Sequence, residues 1–210
     1  MKKFILITAV FCSLSASVLG QTCSLILGHS VNQNMVKFTS PNESIRRTST
    51  SLAPIIGFEL QHTDKMSSCW LLKTNNAFNS TAIGDLFNYT FHFNDLSMKL
   101  DYSFMELNRL RVYFSGGVAA QIVTEARQSV GNFQYNLLEG GIEKYGSTVF
   151  FGMGSRGYPN SPISLVTDLR YNLGLTNFEQ EVEQSTHIGS ISFNILLRIN
   201  VDALNQSKNE

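Results

Sequence analysis

Long segments in which apolar and polar residues alternate are the feature that most constrains how this chain can fold. Five such segments cover residues 52–62, 96–107, 110–126, 163–176 and 187–199. Successive side chains of a β-strand point to opposite faces, so each segment is predicted to be a strand with one apolar and one polar face. The alternation therefore predicts an all-β protein.

The length and polarity of these segments favour a membrane barrel over a soluble sandwich. Strands of globular proteins are most often about 5–6 residues long, whereas a tilted membrane strand needs ~9–11. The polar faces carry Gly, Ser, Asn and isolated charges, which suits the crowded lumen of a small barrel. A sheet in lipid must also close on itself, because an open edge would leave backbone groups unpaired. We predict a transmembrane antiparallel up-and-down β-barrel of about eight strands.

The predicted strands alternate between short and long connections. They cover residues 22–30, 50–63, 67–76, 95–107, 110–126, 148–157, 162–176 and 187–199. Short turns are predicted at 64–65, 108–109 and 158–161, and long polar loops at 31–49, 76–94, 127–146 and 177–185. Outer-membrane barrels arrange short periplasmic turns and long extracellular loops in this way. Segment 133–145 also alternates in part, so it is either a strand of the eight or an extra hairpin that makes ten.

The first twenty residues have the organisation of an export signal. Two lysines precede an apolar stretch over 4–11 and a run of small residues that ends at Gly20. The apolar stretch is shorter than the ~20 residues of a membrane-spanning helix, and cleavage is expected before Gln21. We predict a signal peptide over 1–20, a barrel over 21–199 and a polar C-terminal tail over 200–210. The expected location is the outer membrane of a Gram-negative bacterium.

Composition and motifs exclude several classes of function. The chain is 43% hydrophobic and 15% charged with a formal net charge of zero, so it lacks the basic surface that nucleic acid requires. No Cys/His grouping has metal-ligand spacing, and no cofactor is expected. His187 and Ser190 stand three residues apart on one predicted strand, so they face opposite sides and form no catalytic pair. We predict that the protein is not an enzyme.

Charged residues on the polar faces are the candidate site residues. We predict that they line the lumen, with Asp168/Arg170, Glu59/Lys73 and Lys99/Asp101 as ion pairs. The full set is Glu59, Lys73, Lys99, Asp101, Arg111, Asp168, Arg170 and Arg198. These charges are either a structural network in a filled barrel or the lining of a narrow, porin-like pore.

Aromatic and cysteine positions give two further expectations. Aromatic residues near the predicted strand ends are expected to form girdles at the membrane interfaces; they are Tyr102, Phe104, Tyr113, Tyr171 and Phe178.

Cys23 and Cys69 lie on the first and third predicted strands, which are separated by the second strand. Unless the N-terminus bends over the sheet, that separation exceeds the reach of a disulfide, so we expect the two cysteines not to pair.

The later strands resemble a known family. Residues 168–177 read Asp-Leu-Arg-Tyr-Asn-Leu-Gly-Leu-Thr-Asn and resemble the LRYxxGLTN strand of small bacterial outer-membrane β-barrel proteins, PorT-like proteins included. Residues 113–118 are similar to the YxxxGxG strand of that family, and 151–154 to its Gly-rich strand. The resemblance covers roughly 95–199 and implies a membrane-embedded barrel. The chain departs from many members by continuing past Ile199 rather than ending on an aromatic residue.

Two classes of function follow from these observations. The first is a structural or surface-interaction barrel that contacts outer-membrane lipid and binds periplasmic or surface proteins through its loops. The second is a secreted, lipocalin-like barrel that holds a small apolar ligand. The two classes differ in which face of the strands is apolar and buried.

Overall fold

A computed structural model describes residues 22–39, 44–80, 87–139, 142–159, 161–178 and 185–202. The expected signal peptide and residues 203–210 of the tail lie outside these ranges. The strands are β1 (Thr22–Thr39), β2 (Ser44–Gln61), β3 (Met66–Ser80), β4 (Phe87–Leu107), β5 (Leu110–Val130), β6 (Phe133–Asn136), β7 (Tyr145–Gly157), β8 (Ile163–Gly174) and β9 (Ser185–Asn200). Within these ranges no helix is long and apolar enough to cross a membrane.

Eight antiparallel strands close into a ring in the order β1-β2-β3-β4-β5-β7-β8-β9, and β9 pairs with β1. Following the pairing from Ser24 once around the ring leads back to β1 at Asn34, which is a shear of ten residues. For eight strands this shear gives a tilt of about 40° and an interior that side chains can just fill. The predicted up-and-down barrel is confirmed.

The short strand β6 settles the strand count. Its four residues, Phe133–Asn136, pair with Arg127–Val130 of β5. β6 occupies the same edge of β5 as β7 does, but nearer the long loops. The described residues of 133–144 therefore supply neither a strand of the ring nor a complete extra hairpin, and the alternative of ten strands is wrong.

The three predicted turns are confirmed, but the predicted loops 31–49 and 76–94 are wrong over most of their length, and the predicted loop 127–146 is wrong over about half of it. β1 and β2 stay paired up to Thr39 and Ser44, and β4 and β5 are 21 residues long. Polar composition suggested loops, but these residues belong to strands that continue beyond the apolar part of the wall. The predicted loop 177–185 falls largely outside the described residues. We call the two ends of the barrel the turn end and the loop end.

A continuous apolar belt surrounds the outside of the barrel. On β4 it runs from Leu96 to Phe104, nine residues, which matches the ~9–11 residues of a tilted membrane strand. Exposed members of the belt include Leu27, Val31, Leu52, Trp70, Met98, Leu100, Phe114, Val118, Ile122, Phe151, Met153, Leu165, Leu169, Leu173, Ile191, Phe193, Ile195 and Leu197. Soluble proteins rarely expose a contiguous apolar patch above a few hundred Å², so this wall is built for hydrocarbon.

The polarity of the two faces inverts towards the loop end. On the turn-end side of β4, Leu96 and Leu100 point outward and Lys99 points into the lumen. Phe91, eight residues from Lys99 towards the loop end, is fully buried inside the barrel, and its neighbour His92 points outward. Side chains of β4 alternate between the two faces on both sides of this level. The inversion therefore comes from a change in which residue types occupy each face, and not from a change in the backbone.

The same inversion occurs around the ring. β5 changes from an outward Ile122 to a buried Val123, and β9 changes from an outward Ile191 to a buried Ile188. Beyond this level the wall resembles a soluble protein, with an apolar interior and a polar exterior. We infer that the inversion marks the edge of the hydrocarbon layer at the loop end.

Two of the five expected girdle residues are not on the outside. Tyr102, Phe104 and Tyr171 are exposed on the outer wall, and Phe104 stacks on Phe114 with ring centroids 4.4 Å apart. Tyr113 and Phe178, however, are buried inside the barrel. Tyr113 belongs to the polar face of β5, which the alternation itself assigns to the lumen.

The two thiols of the described chain lie on opposite faces of the wall. Cys23 is buried against Phe58 and Leu60, whereas Cys69 belongs to an apolar cluster inside the barrel. Both are free. The two cysteines are separated both by strand β2 and by the thickness of the barrel wall. The sequence analysis considered only the separation by a strand.

The inversion can be tested with single labels along the outward face of β4. We expect fluorophores at Leu96→Cys and Leu100→Cys to be quenched by lipid-borne quenchers in vesicles. A fluorophore at Asn88→Cys, on the same face but beyond the belt, should not be quenched. The measurement is quenching efficiency at equal labelling, with Cys23 and Cys69 replaced by Ser. Equal quenching at Asn88 and Leu100 would contradict the assigned boundary.

Candidate functional site: the filled lumen and its plug

An ion cluster on Glu59 fills the lumen near the turn end. The Glu59 carboxylate accepts a bond from Arg156 Nη2 at 2.5 Å on one oxygen and from Arg198 Nε at 3.0 Å on the other. All three residues are buried, and they come from β2, β7 and β9, on different sides of the ring. Arg198 also donates to the Gln61 side chain at 3.3 Å. The cluster ties the walls together across the interior.

A second ion cluster lies closer to the middle of the barrel. Lys99 Nζ lies 2.9 Å from Asp101 and 3.3 Å from Asp168, and Arg170 Nη2 lies 2.7 Å from Asp168. Asn194 donates a further bond to the free oxygen of Asp168. The two cations and two carboxylates balance, which is the condition for keeping them buried at acceptable cost.

Aromatic rings pack against these cations. Lys99 Nζ lies 5.2 Å from the centroid of the Tyr113 ring, and the Arg170 guanidinium lies 5.1 Å from that of Phe150. A Cβ at Gly154 would collide with the Tyr113 ring, so this glycine provides the space that the ring occupies. Both rings are buried, so they occupy part of the volume between the charges.

A layer of amides follows towards the loop end. Asn32 Oδ1 accepts bonds from Lys73 Nζ at 2.9 Å and from Ser192 at 2.8 Å. Asp95 lies 3.8 Å from Lys73 Nζ and accepts a bond from Gln121 at 3.0 Å. The Lys73 cation is therefore held between β1 and β4.

An apolar plug closes the interior at the loop end. Its buried members are Val36, Phe78, Phe91, Phe93, Val123, Ala126, Ile142, Phe178 and Ile188. Most lie beyond the belt, where the inversion turns apolar side chains inward. The plug is thus a small hydrophobic core placed over a polar lumen.

Two plug residues come from connections rather than from the eight strands of the ring. Phe178 follows β8, and its backbone N–H donates to Thr186 O at 2.9 Å while its carbonyl accepts from Glu143 N at 2.8 Å. Ile142 precedes β7, and its N–H donates to Leu137 O at 3.1 Å. A Cβ at Gly146 would collide with the Phe178 ring, so the ring packs in the space that this glycine leaves without a side chain.

The predicted site residues all point to the interior, but one expected pair is not formed. Asp168/Arg170 and Lys99/Asp101 are in contact, whereas Glu59 binds two arginines and Lys73 lies beside Asp95. Arg111 pairs at 3.1 Å with Glu106, which is half exposed at the turn end. Glu59 and Lys73 are separated because they lie at different heights on neighbouring strands, Lys73 being opposite Ile55.

Sequence reasoning missed Arg156 and Asp95 as members of these clusters. The signal for Arg156 was present, since it shares the inward face of β7 with Gly152 and Gly154. Asp95 directly follows the predicted loop 76–94. It was therefore not recognised as a member of the inward face of β4, which it shares with Ser97 and Lys99.

Two kinds of catalytic arrangement were considered for the described residues: a metal-binding group and the pair His187 and Ser190. No group of three or more His, Cys, Asp or Glu within the described ranges could hold a metal ion. Ser190 lies on the inward face of β9, and His187 lies on its other face. The two side chains therefore do not converge.

Comparison with known proteins places the fold. No protein-family model matches the chain, and no curated protein sequence matches it. The solved structure of Neisserial surface protein A is similar, with a TM-score of 0.53 and 10% identity over 84% of this chain and 96% of that one. The outer-membrane protein OprG of Pseudomonas aeruginosa gives 0.51 and 11% over 86% and 97%. The outer-membrane protein AlkL gives 0.51 and 10% over 86% and 91%.

The chain has the fold of a bacterial outer-membrane β-barrel. At identities near 10%, the likeness shows the fold alone and no family. The apolar belt and the closed ring agree with that class independently of the comparison.

Glu59→Gln tests whether the turn-end cluster is structural. The variant leaves two buried arginines without their carboxylate, so we expect a loss of about 3–5 kcal/mol in the free energy of unfolding. Urea titration of the protein in lipid bilayers measures it. Glu125→Gln is the matched control, because both partners of its ion pair with Arg127 are partly exposed and the pair should contribute only about 0–1 kcal/mol. Equal losses in the two variants would refute the structural role.

Gly146→Ala tests whether the Phe178 ring packs directly against Gly146. The added methyl group should displace the ring and cost about 1–3 kcal/mol, as overpacking of a core does. In a Phe178→Ala background the same substitution should cost almost nothing, because the ring is gone. Unfolding of the four proteins gives the coupling energy. Gly157→Ala, where a Cβ meets only Leu165 O at 3.8 Å, serves as the tolerated control.

Proposed function

We propose that the protein is a non-catalytic outer-membrane barrel that holds a rigid extension of its strands at the cell surface for contact with external partners. The near-complete burial of the large side chains that point into the lumen is the observation that carries this proposal. A barrel without a passage can act only through its outer wall and its ends, and the wall is occupied by the apolar belt. The extension beyond the belt is the surface that remains.

Large buried side chains point into the lumen near the turn end, in the middle of the barrel and near the loop end, which supports a closed lumen. Arg198, Tyr113, Lys99, Phe78, Phe91 and Phe93 are among the largest fully buried side chains, and all point inward. They belong to the two ion clusters and the plug, which lie one above another. A narrow pore would need several of these contacts to break at once.

The orientation follows from the two kinds of connection. We propose that the turn end faces the periplasm and the loop end faces outward, after export by the signal peptide over 1–20. The LRYxxGLTN-like strand at 168–177 supports a relation to the PorT-like barrels. An apolar exterior argues against the lipocalin-like alternative, whose outside would be polar.

Solute flux tests closure. Proteoliposomes that contain the protein should swell in arabinose no faster than protein-free liposomes, because the ion clusters and plug fill the lumen. An open 16-stranded porin serves as the positive control. Swelling above the protein-free rate at equal protein content would favour the pore and contradict the proposal.

Surface labelling tests orientation in the same strain. A membrane-impermeant maleimide should label Asn88→Cys in intact cells and should label Asp64→Cys only after the outer membrane is opened. The wild-type protein should give little background, since Cys23 and Cys69 are buried. The reverse labelling pattern would overturn the orientation.

A further inference from the structure

Three basic side chains form a row on the outer wall beyond the belt. Lys37 of β1 lies directly opposite Arg46 of β2 on one side and His187 of β9 on the other. Lys37 and Arg46 are exposed, and all three residues lie on the outward faces of their strands. We call them the basic row. Residues directly opposite each other on neighbouring strands have side chains about 5 Å apart at their base, so the row brings like charges together.

No carboxylate of these three strands can compensate the basic row. Strands β9, β1 and β2 contain a single carboxylate, that of Glu59, and it is buried in the lumen. On β5, at the opposite side of the ring, the charges beyond the belt cancel instead, since Arg127 Nε lies 2.8 Å from Glu125 Oε1. Like charges directly opposite each other destabilise a sheet. An anion from outside the protein that binds the row removes this repulsion.

The height of the basic row indicates which kind of anion it meets. Lys37 and Arg46 lie six residues beyond Val31 and Leu52, the last belt residues of β1 and β2. With about 3.3 Å per residue and a tilt of about 40°, the row stands roughly 15 Å above the hydrocarbon. The interfacial layer of a phospholipid is only about 5–8 Å thick, whereas a headgroup of several sugars extends further.

Uncharged polar side chains lie between the belt and the basic row. Gln33 of β1 is opposite Thr50 of β2, and Thr48 follows on β2 towards the row. All three are exposed on the outward face, where the half-buried Met35 is the apolar residue between them. Amide and hydroxyl groups bind sugar hydroxyls, and lysine and arginine bind phosphate and carboxylate groups. This face therefore offers contacts to both the sugars and the charges of one headgroup.

We propose that the basic row and the polar residues next to it bind the acidic headgroup of a glycolipid in the surrounding leaflet. The proposal rests on the orientation given above, with the loop end at the cell surface. Each basic side chain near a membrane surface strengthens the binding of anionic lipid about 5-fold. The phosphate of a lipid without sugars lies below the row and gains less from it.

Native mass spectrometry of the protein in neutral detergent micelles tests the site. The probes are lipid A bearing two acidic octulosonate sugars, and phosphatidylglycerol as an anionic lipid without a sugar headgroup. We expect saturable binding of the glycolipid, about 10-fold or more tighter than that of phosphatidylglycerol. Equal binding of the two lipids, or no binding of the glycolipid, would overturn the assignment.

Paired variants connect the binding to the basic row. Lys37→Gln/Arg46→Gln should weaken glycolipid binding about 30-fold, because it removes both exposed cations of the row. Lys65→Gln/Arg109→Gln is the matched control, since it removes the same two charges from exposed positions at the turn end. The control should change binding by less than about 2-fold, as those cations are more than a Debye length away. Equal weakening in the two double variants would refute the site.

Stability in neutral lipid separates lipid binding from a structural role of the row. In phosphatidylcholine vesicles, the urea midpoint of Lys37→Gln/Arg46→Gln should equal or exceed that of the wild type, because a repulsive pair is removed. A lower midpoint would show that the two cations already have partners within the chain, which contradicts the proposal. Surface labelling of Asn88→Cys does not depend on glycolipid, so failure of binding is distinguishable from failure of the proposed orientation.

Discussion

The structure depends on one constraint: backbone polar groups within hydrocarbon must pair with one another. Eight strands satisfy it by closing a ring with a shear of ten residues, and that closure fixes the interior width. An interior of this size cannot be left empty or solvated freely. The side chains that fill it must then satisfy their own polarity, which leads to clusters in which carboxylates from one wall meet cations from another.

The charged layers also explain why apolar residues are concentrated at the loop end. Within the belt, each strand must present apolar groups to lipid, so its other face receives the polar residues. Beyond the belt the exterior meets water, and the same period of two can return apolar residues to the inside. The plug is the result of that change in surroundings, and Phe178 and Ile142 extend it from the connections.

Alternation in the sequence was sufficient to predict the ring and the outward belt. It could not predict partners across the lumen, because Glu59 and Arg156 are 97 positions apart and their meeting depends on tilt and shear. It also misjudged residues 31–49 and 76–94, where polar side chains were read as loop. The change in apolar face between Phe91 and Leu96 was visible in the sequence but carries meaning only when the outside is known to change from lipid to water.

The ring is sealed by its first and last strands, since β9 pairs with β1 over Ser24–Thr39 and the Cys23 N–H is bonded to the Asp202 carboxylate at 3.0 Å. The final hydrogen-bonded seam therefore joins residues more than a hundred positions apart. Until the C-terminal strand is complete, two unpaired edges remain, and such edges readily pair with other chains. A nascent copy of this protein consequently has no partly closed form that is stable in lipid, and it must be kept unassembled in water until its whole length is available.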